Sequence, residues 1–311
     1  MSLIPSGTST CFWRGQVKSQ NRRDSRPLSR TGLRDDQHKP FQPWLAAVTN
    51  EYSGSTQIVL YSVNQVAQSD FELLAQHRKV WDARPELRAI YQEWFAQLLA
   101  CVDGLHPIVE IGAGAGFFKE YCPSLTATDI VSSGYPIDVI SDACVMPFRS
   151  GTVGALVMLD VLHHLPKPLE FMSEARRVLQ PGGRLAMIEP WITPPSYLLY
   201  RYCHHEQCSL KIDVCQPFEA GGKNAFDGNA AIPFKLLQFF RVATPPLRLI
   251  RTYPFIGLPY LATLGFQMTR PIPQGVIAMA RVCERLFSPL RKFTATRILM
   301  VWERSGASAT D

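Results

Sequence analysis

The most constraining feature of this sequence is the stretch Ile108-Val109-Glu110-Ile111-Gly112-Ala113-Gly114-Ala115-Gly116. A short run rich in β-branched residues ends in glycines at alternate positions, and an apolar, helix-like pattern resumes over Phe117–Tyr121. β-Branched side chains suit a pleated strand. Glycine reaches backbone conformations that side chains disfavour and lets another group approach the main chain closely. A helix starting there presents N–H groups that have no intrahelical partner. The spacing therefore predicts strand, tight turn and helix, with the turn open to a ligand.

The same rhythm continues downstream. Leu125–Asp129, Ile137–Ile140, Val153–Leu159 and Arg184–Ile188 read as strands, Leu169–Leu179 reads as a helix, and Pro181-Gly182-Gly183 reads as the turn that stops it. Such alternation predicts an α/β fold, a parallel sheet with helices on both faces. Upstream, Phe71 to Val102 is helical. Leu87, Ile90, Tyr91, Trp94, Phe95, Leu98 and Leu99 recur at helical steps, Pro85 starts this second helix, and Gly104 and Pro107 end it. Gln57–Val63 has the composition of a short strand without an evident place. Ala295–Trp302 is expected to close the sheet.

These elements divide the chain into a disordered basic tail (1–50), an N-terminal helical segment (51–104), a core (105–190), a lid inserted after strand five (191–290) and a closing strand (291–305). The lid region is rich in proline and aromatic residues and shows no clear strand alternation. Val276, Ile277, Ala280, Cys283, Leu286 and Phe287 form one helical face near its end. The net charge of +6 is unevenly spread: +5 over 1–50, −6 over 51–189 and +7 over 190–311. A basic, apolar end suits an anionic substrate or a lipid surface, and a solvated positive face fits the same numbers. The tail lacks the aromatic interleaving of a nucleic-acid arm, so no nucleic-acid partner is expected.

The eight cysteines are scattered and suggest no disulfide framework. The N-terminus has no signal-peptide core, and no apolar run reaches the ~20 residues that span a bilayer. The nearest, Val242 to Phe266, is broken by Arg248, Arg251 and four prolines. A cytoplasmic protein, peripheral to a membrane at most, is expected. The sequence is silent on oligomeric state.

Two chemistries use a strand, a glycine turn and an acid closing the next strand: hydride transfer with a dinucleotide and methyl transfer from S-adenosyl-L-methionine. Asp129 is that acid, placed to accept hydrogen bonds from a ribose diol. Three features favour methyl transfer. The glycines read G-x-G-x-G, not the G-x-G-x-x-G that seats a pyrophosphate. Asp142-Ala143, followed by Met146-Pro147-Phe148, lies after strand three, where a carboxylate can take an adenine amino group. Leu159-Asp160-Val161-Leu162-His163-His164-Leu165 follows strand four, and the Ala175–Gly183 stretch precedes strand five.

With these motifs in place, the sequence resembles the class I adenosylmethionine-dependent methyltransferases, in the branch with quinone-biosynthesis and other small-molecule enzymes. The resemblance covers roughly residues 105–190. It implies a Rossmann-like, seven-stranded, mostly parallel sheet whose last strand is antiparallel. It implies that Glu110, Gly112 and Gly114 line the methionine end of the cofactor, with Gly116 completing the loop, and that Asp129 binds the ribose. Asp142 and Ala143 would hold the adenine, with Asp138 as a nearby competitor. The backbone near Asp160 would hold the cofactor's amino group.

Of the adjacent His163 and His164, one suits a packed core histidine. His164 is the choice for a general base, since imidazole titrates near neutral pH. In Cys203-His204-His205-Glu206-Gln207-Cys208, with Cys215 beyond, a zinc reading lacks a C-x-x-C pair and a second pair, and no metal is expected. His205 as a second base and Glu206 as a substrate contact are expected instead. The Asp227-Gly228-Asn229 turn adds Asn229 as a substrate contact. The expected reaction moves a methyl group to an oxygen or carbon of a small-molecule acceptor, lipid-linked or glycan. No N-P-P-Y or D-P-P-Y tetrapeptide follows strand four, which disfavours a nucleobase or amide nitrogen. The alternatives are a non-catalytic binding protein of the same fold and an NAD(P)-dependent oxidoreductase.

Overall fold

The computed structural model describes residues 68–132, 134–203, 208–217 and 227–306. The expected tail over 1–50, the Gln57–Val63 strand, His205 and Glu206 lie outside the described residues.

The seven strands are β1 (Ile108–Ile111), β2 (Thr126–Asp129), β3 (Val139–Ile140), β4 (Val153–Leu159), β5 (Leu179–Pro190), β6 (Arg248–Phe255) and β7 (Arg297–Glu303). They form one sheet in the order β3-β2-β1-β4-β5-β7-β6. β1 to β5 pair in parallel, and β7 runs antiparallel to both of its neighbours. The chain steps outward from β1 to β3 and then returns to β4. The order therefore reverses between β1 and β4, which is where open α/β sheets place their ligand crevice.

The helices are α1 (Gln68–Ala83), α2 (Pro85–Cys101), α3 (Phe117–Tyr121), α4 (Pro168–Val178), α5 (Pro194–Tyr202), α6 (Ile232–Phe239), α7 (Leu258–Thr263), α8 (Gln274–Phe287) and α9 (Arg291–Thr294). Alternate side chains of β4 feed two cores. Ala155 and Val157 join the residues of α1, α2 and α3 on one face. Leu156 and Met158 join Phe171, Met172, Ala175 and Val178 of α4, with Ile232 and Leu236 of α6, on the other. Both faces of the central strands are covered, so β1 reads as a continuous buried run. Leu87 and Leu98 of α2 have no exposed surface, and such burial stabilises by about 1.5–3 kcal/mol per side chain.

Two expectations change. Pro181-Gly182-Gly183 lies within β5, not before it. The register jumps from Val153↔Leu179 to Ala155↔Arg184, and Gly182 takes φ 77° in the bulge between. The region 191–290 was expected to hold no clear strand, yet it contributes β6 to the sheet. β6 is an edge strand whose residues are exposed from Arg248 to Tyr253, so it needs no apolar face, and Pro254 is tolerable at an edge. The residues expected to form one helical face near the end of this region do lie on α8, and only Ile277 of that helix is buried.

The C-terminal part is held by a clamp from the N-terminal helices. Arg84, with no exposed surface, donates to the carbonyls of Gly265, Met268 and Thr263 at 2.8, 2.8 and 3.0 Å, and to Glu86 Oε1 at 2.8 Å. A planar guanidinium suits several fixed acceptors at once.

Candidate functional site

The turn between β1 and α3 forms as its glycines require. Gly112, Gly114 and Gly116 take φ of 69°, 55° and 77°, a region that side chains rarely adopt. A Cβ on Gly112 would stand 2.5 Å from Val161 Cγ2, and one on Gly116 would stand 2.7 Å from Pro136 Cγ. The loop thus lies against the segment that follows β4. Leu74 of α1 covers Gly114 from the other side. Trp81 stacks on Phe117 with centroids 4.1 Å apart, fixing α1 above the start of α3.

Asp129 ends β2 and is 7% exposed. It holds the loop in place: the Gly114 N–H donates to Oδ2 and the Val131 N–H to Oδ1, each at 2.7 Å. A carboxylate has further acceptor sites beyond two such bonds. Burial raises its carboxyl above the ordinary range, and the backbone donors oppose that rise.

Glu110 is 6% exposed, on β1 between β2 and β4, and lies near enough to Asp129 for the two charges to interact. Its Oε2 is buried without a hydrogen-bond partner. Burial, reinforced by the nearby Asp129 and Asp138 charges and opposed by Lys119, pushes its carboxyl up to about 8. A buried, unsatisfied carboxyl oxygen is costly, and a donor arriving in the crevice removes that cost. These residues therefore fit a ligand carrying an ammonium group beside a ribose.

The two acids near β3 separate cleanly. Asp138 Oδ2 accepts from the Ala127 N–H at 2.9 Å and lies 2.8 Å from Lys119 Nζ. Its charge serves the fold. Asp142 is exposed, and its Oδ1 accepts from the Cys144 N–H at 2.8 Å, while Ala143 beside it is buried.

A second cluster stands at the ends of β4 and β5. Glu189 is fully buried. Its Oε1 accepts from the Val161 and Leu162 N–H groups at 2.9 and 2.8 Å, and its Oε2 lies 2.7 Å from His163 Nδ1. His163 is therefore the packed histidine, and its ring lies against that of half-buried His164, centroids 4.1 Å apart. Asp160 takes φ 56°, uncommon for a residue with a side chain, and pairs with the Arg297 guanidinium. Arg297 also lies over the Trp94 and Tyr260 rings, 4.8 and 4.6 Å from their centroids. Burial works against the Arg297 charge, but Asp160 with Tyr260 and Tyr200 outweighs it and keeps Arg297 protonated. Side-chain ligand atoms of Asp160, His163 and Glu189 lie within 4.8 Å of one another. The cation against this group is the Arg297 guanidinium.

Asn229 is 1% exposed, and its amide is spent on the fold. Oδ1 accepts from the Ser209 and Ala231 N–H groups at 3.1 and 3.0 Å, and Nδ2 donates to the Ser209 carbonyl at 3.2 Å. Its N–H donates to the His163 carbonyl at 2.8 Å. It braces the histidine pair.

The sequence reading missed Glu189 and Arg297 as site residues. The signal for Glu189 was present: an acid ends an apolar strand, as Asp129 does. Nothing local marks Arg297, whose partner Asp160 lies 137 residues away.

Residues 109–187 match the family described as "Methyltransferase domain". The chain is 33% identical to squalene methyltransferase 1 of Botryococcus braunii over 114 residues, covering 36% of this chain and 30% of that protein. It is 33% identical to demethylmenaquinone methyltransferase of Chlamydia muridarum over 88 residues, covering 28% of this chain and 38% of that protein. The chain thus spans only about a third of the length of these curated relatives. The structure of geranyl diphosphate C-methyltransferase from Streptomyces coelicolor A3(2) superposes with a TM-score of 0.45 at 14% identity, over 68% of this chain and 78% of that one. Residues 109–187 thus match a methyltransferase domain, and the sheet they belong to has the seven strands, with β7 antiparallel, that the motif resemblance implies.

Proposed function

We propose that this chain transfers a methyl group from adenosylmethionine to an oxygen or carbon of a small, lipid-linked acceptor. The observation that carries the cofactor reading is Glu110 Oε2, a buried carboxyl oxygen without a partner, on the strand that runs into the glycine turn and near the Asp129 charge. Glu110 meets the cationic amino end of the cofactor, and Gly112, Gly114 and Gly116 keep the wall thin. Asp129 takes the ribose hydroxyls while still bracing Gly114. Asp142 and Ala143 flank the adenine, a role open to Asp142 because Asp138 is engaged by Lys119. The strained backbone at Asp160 faces the amino end.

Adenosylmethionine supplies the activated methyl group. The protein contributes alignment and a dry pocket. Residues 191–290 act as the acceptor lid, with Tyr260 and Arg297 meeting Trp94 above the ends of β4 and β5. His164 takes the proton from an oxygen acceptor, its ring steadied by His163, which Glu189 holds in turn. His205 and Glu206 belong to the same lid proposal. A lipid-linked acceptor is supported by the basic, apolar C-terminal part and by the relative named for squalene. A cytoplasmic protein at a membrane surface fits as well, since among the described residues no helix is long and apolar enough to cross a membrane.

The test is incubation of the purified chain with methyl-labelled cofactor and fractionated cell extract. Label in the lipid fraction is expected. Label confined to water-soluble products contradicts the lipid-linked acceptor. Cofactor binding without label in any fraction contradicts catalysis and favours the non-catalytic reading.

A further inference from the structure

α8 is mounted with its polar side inward. Arg281 reaches back to Glu93 of α2 with bonds of 2.9 and 2.6 Å, and Glu284 Oε1 accepts from the Gly257 N–H at 2.8 Å. Ile277 alone is buried. The apolar side faces away: Val276 is 46% exposed, Met279 63%, Leu286 72% and Phe287 50%. The ridge continues past the helix through Leu290 and Phe293, 50% and 69% exposed, at the same three- and four-residue steps. An open apolar groove of about 570 Å³ lies between α8 and α7, lined by Leu258, Leu261, Val276, Met279 and Cys283. Among the described residues nothing covers this face. Contiguous exposed apolar surface of this kind marks a binding surface.

Charge selects the occupant. Between Leu264 and Thr296 the chain carries Arg270, Arg281, Arg285, Arg291 and Lys292 against a single acid, Glu284. That acid is turned inward, while Arg285 and Lys292 are exposed beside the apolar ridge. An apolar ridge rimmed by cations matches the boundary between acyl chains and anionic headgroups. A second copy of the chain would bring the same cations against themselves.

We propose that the face formed by α7, α8 and α9 docks on an anionic lipid bilayer, with Met279, Leu286, Leu290 and Phe293 entering the interface and Arg285 and Lys292 meeting headgroups. The proposal deepens the lipid-linked acceptor reading and rests on it, because the same face would bring the lid to a membrane-held substrate.

The test is sedimentation of the full chain with phosphatidylcholine vesicles, with and without roughly a third phosphatidylglycerol. Anionic vesicles should bind it ~10-fold more strongly or better. M279D/L286D should lower that binding ~10-fold or more while leaving thermal unfolding and adenosylhomocysteine affinity unchanged. R285E/K292E should abolish the preference for anionic vesicles. Equal partition of the wild type into both vesicle types overturns the proposal, as does undiminished binding by M279D/L286D. A concentration-dependent dimer that M279D/L286D disperses in sedimentation velocity also overturns it, because a second copy then owns the face. Adenosylhomocysteine titration of the same preparation separates the two readings. Intact affinity without vesicle binding defeats the docking surface alone, and vesicle binding without affinity defeats the methyltransferase reading.

Discussion

The part of the molecule built on β1 to β4 and the part that follows β5 are held by different means. In the first, neighbours in sequence are neighbours in space. A glycine turn, an acid 15 residues further on and a short helix build the wall proposed for the cofactor. In the second, order comes from distant polar anchors. Arg84 grips carbonyls 179 to 184 residues away, and Arg297 meets Asp160 across 137 residues. The contrast teaches that the glycine turn and its acid are specified locally, while the part after β5 is fastened through a few charged contacts and leaves its outer apolar face exposed.

The sharpest way to break that contrast is Arg84→Ala. It removes the charged donor from three carbonyls and leaves half-buried Glu86 with the Ile272 N–H but without its cation. The expected loss is about 3–5 kcal/mol of unfolding free energy, read by urea denaturation. A loss under ~1 kcal/mol would show that the C-terminal part is fastened by packing instead.

Next in size is Gly112→Ala in the locally specified part. The left-handed backbone costs about 1–2 kcal/mol, and overlap with Val161 adds about 1–3 kcal/mol. The double variant G112A/V161A should recover part of the overlap cost, offset by lost valine packing, and should leave the backbone cost. Identical stability of G112A and the wild type would mean that the turn differs from the one described.

Asp129→Ala should weaken adenosylhomocysteine binding ~10-fold or more, the loss of a charge-assisted acceptor worth about 1.5–3 kcal/mol. Unchanged affinity in calorimetry would remove Asp129 from the site.

The smallest effect is a pH dependence set by Glu110. Its carboxyl is pushed up to about 8 in the fold, against an ordinary value of 4.5. A raised carboxyl binds its proton more tightly when folded, so the stability it contributes is complete below about 4.5 and declines as pH rises through about 8. A cationic ligand favours the ionised form and must expel that proton. Affinity should therefore climb by up to ~10-fold per pH unit between neutrality and about 8, with proton release, and E110Q should flatten the profile. A flat profile in the wild type would show that Glu110 does not meet the ligand's cation.

Sequence legibility follows the same division. β1, the glycine turn, α3, β4 and α4 were readable because fully buried parallel strands appear as continuous apolar runs and glycines mark the turn. β6 was not readable. Exposed on both faces, it carries Arg248, Arg251 and Pro254 where a buried strand would be apolar. α8 was readable as a helix, but its direction of packing was not, because periodicity shows that one side is apolar and not whether that side faces a core. His163 and His164 could be told apart only once Glu189 was seen to hold the first. The hydrogen bonds of Asn229 to Ser209 and Ala231 were not readable, because turn chemistry and binding chemistry draw on the same amide group.

The most direct measurement is calorimetric titration of the intact chain with adenosylhomocysteine and, in parallel, with NAD and NADP. One molecule of adenosylhomocysteine bound per chain, with no heat from either dinucleotide, is the predicted result. Saturable binding of a dinucleotide, with none of adenosylhomocysteine, would contradict the assignment of the crevice between β1 and β4.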